Sequence, residues 1–85
     1  MHINGEKQIV EIEGIVTACN WNEQGGVTGL KICSDRETDY LVAVDYIGNR
    51  LINHIGKKVT LKGWIEASLK GIDRVHIIDF TLNNF

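Results

Sequence analysis

Between Gln8 and Asn20 the chain reads QIVEIEGIVTACN, with Val10, Ile12, Val16 and Ala18 on one parity and Glu11 and Glu13 on the other. A period of two rich in Ile, Val and Thr predicts a long strand. Gly14 stands in the apolar parity, where a missing side chain permits a bend, so this strand is expected to serve two sheets. The polar stretch NEQGG at 22–26 predicts a turn into a second strand from Val27 to Ser34. Symmetric pairing about that turn sets Leu30 and Ile32 beside Val16 and Ala18 in the core, and leaves Cys19 and Cys33 on the outer face. After a turn at DRET, 35–38, DYLVAV at 39–44 predicts a third strand, apolar on both parities. One side must be core, and the other is covered or serves as a contact surface.

Asp45 is a good N-cap, and Ile47, Leu51 and Ile55 follow at four-residue spacing with Ile52 beside them, which predicts a short amphipathic helix stopped by Gly56. Gly48 weakens such a helix by about 1 kcal/mol relative to alanine, so packing must hold it. From Lys58 to Ala67, Val59, Leu61, Gly63 and Ile65 face inward and Thr60, Lys62, Trp64 and Glu66 outward. From Arg74 to Leu82, Val75 and Ile77 share one parity and Phe80 and Leu82 the other, so a bulge is expected near Ile78 and Asp79. The order strand, strand, strand, short helix, strand, strand, with mid-strand glycines in the first and fourth strands, matches a mainly β fold, the five-stranded Greek-key OB barrel. An SH3-like barrel puts its helical turn between the last two strands, where this chain has only SLKG.

Eighty-five residues make one domain, residues 1–85, because a chain this short buries only roughly 60–65% of its unfolded surface and supports a single core. No apolar run approaches the ~20 residues of a membrane-spanning helix. The opening MHINGEKQIVEIEG has neither a basic start nor an apolar core, so a cytoplasmic location without a secretory leader is expected. Two cysteines are too few for a disulfide framework, and neither they nor His2, His54 and His76 have the short spacing zinc sites favour, so no metal or other cofactor is expected. The net charge of −2 conceals an asymmetry: residues 1–45 carry three basic and eight acidic side chains, a net −5, and residues 46–85 carry six basic and three acidic, a net +3. Any basic surface comes from the second half.

Gly14-Ile15-Val16, the turn from Trp21 through Val27, YLVAV at 40–44, HIGKKV at 54–59 and Gly63 together resemble the small freestanding OB-fold proteins of bacteria and archaea, most of them uncharacterised. The resemblance spans nearly the whole chain and implies a relation in shape to anticodon-binding and single-strand-binding barrels. Its residues determine a fold and carry no active-site motif. The hairpin VTLKGWIEASLKGIDRVHIIDF, 59–80, is similar to the first hairpin of some synthetase anticodon-binding barrels, but here it is expected to close the barrel. KGWI at 62–65 does not replace the aromatic motif of cold-shock proteins.

An OB barrel is expected to bind on the outer face of strands two and three and at the loops between strands one and two and strands four and five. Single-strand binders stack bases on aromatic rings and follow phosphates with Lys and Arg. The candidates for that work are Trp21, Lys31, Tyr40, Lys62, Trp64 and Lys70. Trp21 either stacks on a base or, as large aromatics ordinarily do, covers the barrel end, and Trp64 has the same two uses. Tyr40 joins the outer face in one of the two registers that the 35–38 turn allows. Lys57 and Lys58 read as a solvated strand edge, and Glu23, Asp35, Glu37 and Asp39 oppose a phosphate backbone. No nucleophile has a predictable base beside it, so an enzyme is not expected. The expected partner is single-stranded DNA or RNA, bound weakly. The alternative is a protein-interaction module, a homodimer or a partner complex, using the apolar outer side of strands two and three.

Overall fold

The computed structural model of the chain describes residues 8–83, so His2, Glu6, Lys7 and the first seven residues of the stretch read as lacking a leader lie outside the described residues. The strands are β1 (Val10–Trp21), β2 (Val27–Ser34), β3 (Asp39–Val42), β4 (Lys58–Glu66) and β5 (Arg74–Leu82). One helix, α1 (Tyr46–Arg50), runs into a 3-10 turn at Leu51–His54 between β3 and β4. The strands close a barrel in the order β1-β2-β3-β5-β4, with β4 returning to β1. Every pairing is antiparallel except β3 with β5. This is the mainly β, five-stranded Greek-key barrel with a single helix after the third strand that the residue pattern predicts.

β1 closes the barrel by pairing twice. Val10 to Ile15 lie against β4 and Gly14 to Trp21 against β2, so Gly14 and Ile15 are held on both sides. A Cβ at Gly14 would stand 2.5 Å from the Cys33 carbonyl oxygen and 2.8 Å from the Ser34 Cα. Only a residue without a side chain lets the end of β2 pass there. Gly63 is the counterpart on β4, where a Cβ would collide with the His76 carbonyl. The β4–β5 register shifts at this point: Lys62 pairs with Asp79 and Gly63 with Ile77, leaving Ile78 as the extra residue. The bulge lies where the change of parity demands it and turns Phe80 and Leu82 back toward the interior.

Ile12, Val16, Leu30, Ile32, Val42, Val59, Leu61, Val75 and Ile77 fill the barrel, and Leu51 plugs one end. Val16 pairs with Ile32 and Ala18 with Leu30, the predicted register. Each fully buried aliphatic side chain contributes about 1.5–3 kcal/mol.

The chain differs from the sequence pattern at the helix and the third strand. The amphipathic spacing predicts one helix with Ile47, Leu51, Ile52 and Ile55 on its apolar face, yet only Leu51 is fully buried, and Ile52 and Ile55 are exposed. The α-helix lasts five residues before tightening to 3-10, which rotates the following side chains off the predicted face. Asp45 caps it as expected, its Oδ1 accepting from the Gly48 amide at 2.7 Å, and Gly56, at φ 88°, ends the segment. Gly48 is buried, and a Cβ there would strike the Ala43 carbonyl. Glycine at 48 is therefore a packing requirement, and alanine would not gain its usual helical advantage. The third strand ends at Val42, two residues early: Ala43 is buried and donates its amide to the Val75 carbonyl at 3.0 Å, whereas Val44 is 79% exposed. The chain leaves the sheet there to reach the helix.

Gly63→Ala is expected to destabilise the protein by about 1–3 kcal/mol, the range for an overpacked interior. Gly71→Ala should be neutral, since nothing lies within 4 Å of a Cβ there. Urea unfolding midpoints of the two variants check this, and equal midpoints would mean that Gly63 is not a point of close approach.

Candidate functional site

The register distributes the six candidate side chains over separate surfaces. Lys31 stands outward on β2 between Thr17 of β1 and Leu41 of β3. Its Nζ lies 3.3 Å from Asp39 Oδ2. The hydrogen bond to Asp39, followed by that carboxylate's charge, holds the ammonium above its ordinary value of 10.5. A phosphate would have to compete with that partner. Lys62 is exposed on β4, flanked across the strands by Glu11 and Asp79. Lys58, read as a solvated edge, pairs with Asp35 at 2.9 Å. Its pKa is raised chiefly by the Asp35 hydrogen bond, against desolvation.

Tyr40 is a correction. It pairs with Ile32, which is fully buried, so the register turns Tyr40 inward, where it packs against the core. The outward residues of β3 are Asp39 and Leu41, the latter half-buried opposite Lys31. The outer face of β2 and β3 therefore carries the Lys31–Asp39 ion pair beside Leu41 and Cys33.

Trp21 is 58% exposed at the end of β1 and does not cover the barrel. The turn after it is braced by Asn22, whose Oδ1 accepts from Gln24 at 3.0 Å and Gly26 at 2.8 Å. Lys70 is exposed in the 67–73 loop, where Asp73 Oδ1 accepts from the Ser68 amide at 2.9 Å and Ser68 Oγ from the Lys70 amide at 3.2 Å.

Trp64 has a partner that sequence reasoning missed. It pairs across the β4–β5 ladder with His76, and the two rings stack with centroids 3.9 Å apart and planes 2° from parallel. His76 Nε2 meets Glu66 Oε1 at 2.7 Å, which fixes the imidazole's orientation. Arg74, two residues before His76 and on the same outer face, is exposed and pairs with Glu66 on one side and Leu41 on the other in the strand register. Hairpin symmetry about Lys70 pairs 64 with 76, so the signal lay in the sequence.

Beyond His76, on the β3 side, a cavity of about 450 Å³ is lined by Ala43, Val44, Asp45, Arg74 and His76. A narrower apolar groove of about 190 Å³ adjoins it through Ala43 and Val44 and runs between the start of β2 and the helix, past Val27 and Ile52. A third cavity, about 670 Å³, lies among the start of β1, the 35–38 turn and the end of β4, with Glu11, Glu13 and Asp35 against Arg36 in its wall. Its acidic lining opposes an anionic ligand. Among the described residues, no group of three or more His, Cys, Asp or Glu side chains gathers as a metal site, and no helix is long and apolar enough to cross a membrane.

Compared with protein-family models, with curated proteins and with solved structures, the chain matches none. Of the family resemblance in the sequence, the barrel architecture alone has structural support.

Two outcomes follow from this geometry. Lys31 and Lys58 have raised folded pKa values, so their pairs contribute stability that is present below pH 10.5 and is lost as pH rises through the folded values. Replacing both partners, Asp35→Asn with Asp39→Asn, should flatten the fall in thermal midpoint above that pH, as read by melting curves across the alkaline range. Cys33 pairs with Ile15, and Cys19 lies four residues further along β1, roughly 13 Å at strand rise. That exceeds the ~7 Å Cα limit for a disulfide. Mild oxidation should leave both thiols of a monomer free by non-reducing mass spectrometry.

Proposed function

We propose that this protein is a small OB-type barrel that binds single-stranded nucleic acid weakly, in the cytoplasm of a prokaryote. The observation that carries the reading is the outward, near-parallel stack of Trp64 on His76 beside Arg74. Bases extend such a ladder whatever their identity, because every base has a π-face, at about 1–3 kcal/mol per stacked base. The loop residue Lys70 supplies a phosphate contact, Arg74 stands beside the stack, and Trp21 offers a second ring. The weakness has a charge origin. Lys31 and Lys58 are already paired with carboxylates, Lys62 is flanked by two more, and the whole chain carries −2. We assign no catalysis to it.

A second reading is favoured by a different observation. Val44 and Tyr46, 79% and 81% exposed, stand at the corner between β3 and α1 beside the apolar groove. A partner protein or a second copy docking there would cover them.

Titration with eight-nucleotide DNA and RNA strands at low and moderate salt, followed by tryptophan fluorescence, tests the first reading. Binding is expected to weaken with salt, and Lys70→Ala should reduce the log-log salt slope by roughly 0.7 for the lost phosphate contact. Unchanged fluorescence with no salt-dependent binding would end it. Sedimentation tests the homodimer form of the second, which a monomer at every concentration would remove.

A further inference from the structure

We infer that the cavity beside His76 is a slot for one guanine base of the bound strand, an inference that rests on the single-strand reading. β5 lies between β4 and β3, and Trp64 covers the β4 side of the His76 ring. The cavity, which His76 lines together with the 43–45 corner, is therefore on the β3 side. An incoming base there continues the Trp64–His76 ladder as its third ring, with Val44 as an apolar contact. The imidazole is fixed for this use by the Trp64 stack and by Glu66.

Two charged groups in the same wall select among bases. Asp45 uses Oδ1 to hold the Gly48 amide at 2.7 Å, which fixes the carboxylate in the wall of the cavity it lines. Arg74, exposed in the same wall, offers a fork of donors. A ring that meets both must present N–H donors to a carboxylate and paired acceptors to a guanidinium. Guanine does so, with N1–H and the N2 amine on one edge and O6 and N7 on another, the arginine pairing being the commonest specific contact to a base. Adenine lacks the carbonyl, thymine and uracil lack the amine, and cytosine has a smaller face to stack.

The test compares an octathymidylate strand with strands carrying one central guanine, adenine or cytosine, followed by tryptophan fluorescence and calorimetry. The guanine strand is expected to bind about tenfold tighter than octathymidylate, within the discrimination of one good bidentate contact. Asp45→Asn keeps the helix cap, since asparagine caps as well as aspartate, so its thermal midpoint should match the parent while the guanine-to-thymine affinity ratio falls toward one. Equal affinity for all four strands, or a preference that survives Asp45→Asn, would overturn the guanine slot and leave single-strand binding standing. Failure of every strand to bind would overturn the single-strand reading itself. Guanosine monophosphate run in parallel should bind more weakly than the guanine strand, and tighter binding of the mononucleotide would overturn the strand as the source of the base.

Discussion

Backbone contact at Gly14 and Gly63 is the constraint on which the rest of this barrel depends. A five-stranded sheet closes only if two of its strands bend sharply enough to face both neighbours, and each bend brings a carbonyl where a Cβ would otherwise sit. At Gly14 this lets one strand belong to both walls of the barrel. At Gly63 it is coupled to the extra residue at Ile78, so the last strand changes the face it buries midway along. The inner side then becomes continuous, from Val75 and Ile77 to Phe80 and Leu82, and Leu51 closes the end.

The same geometry accounts for what the residue pattern revealed and what it concealed. β2 and β5 have the predicted bounds, and the Val16–Ile32 and Ala18–Leu30 register is as expected, because alternation along a half-buried strand encodes which face is inside. The bulge was legible because Phe80 and Leu82 fall out of phase with Val75 and Ile77. Tyr40 was not, since β3 is short and apolar on both parities, so only its pairing with Ile32 decides the side. The break of the helix into a 3-10 turn was also hidden, because apolar spacing does not record how closely Gly48 approaches Ala43. Among the candidate site residues, Trp21, Lys62, Trp64 and Lys70 are at the surface as their parity or loop position suggests. Lys31 is there too, but its carboxylate partner comes from the next strand, a cross-strand fact that alternation alone does not carry. The Trp64–His76 pairing, by contrast, follows from the symmetry of the hairpin about Lys70, though alternation alone does not carry it.

Folding also redistributes the charge asymmetry of the chain. The acidic first half and the basic second half do not face each other as two patches. Lys58 meets Asp35, and Lys62 lies between Glu11 and Asp79. Pairing of this kind at a solvent-exposed surface adds little stability, but it removes cations from the pool that would attract a polyanion. Beside the Trp64–His76 stack, basic character remains at Arg74, whose register neighbours are Glu66 on one side and Leu41 on the other, and at Lys70 in the adjoining loop. An overall acidic chain thus retains local basic side chains on this part of its surface.

The junction of β3 with β5 consists of two registered residue pairs, Leu41 with Arg74 and Val42 with Val75, flanked by the Leu41–Asp73 and Ala43–Val75 hydrogen bonds. It unites segments separated by the helix and all of β4, so it is the thinnest seam in the wall and carries a large loop-closure entropy for few bonds. In a chain whose hairpins form from sequence neighbours, this seam is the natural last step of assembly and the first place for the wall to breathe. The cavity beside His76 straddles that seam, so whatever enters it stitches together the two halves of the molecule that hold each other least.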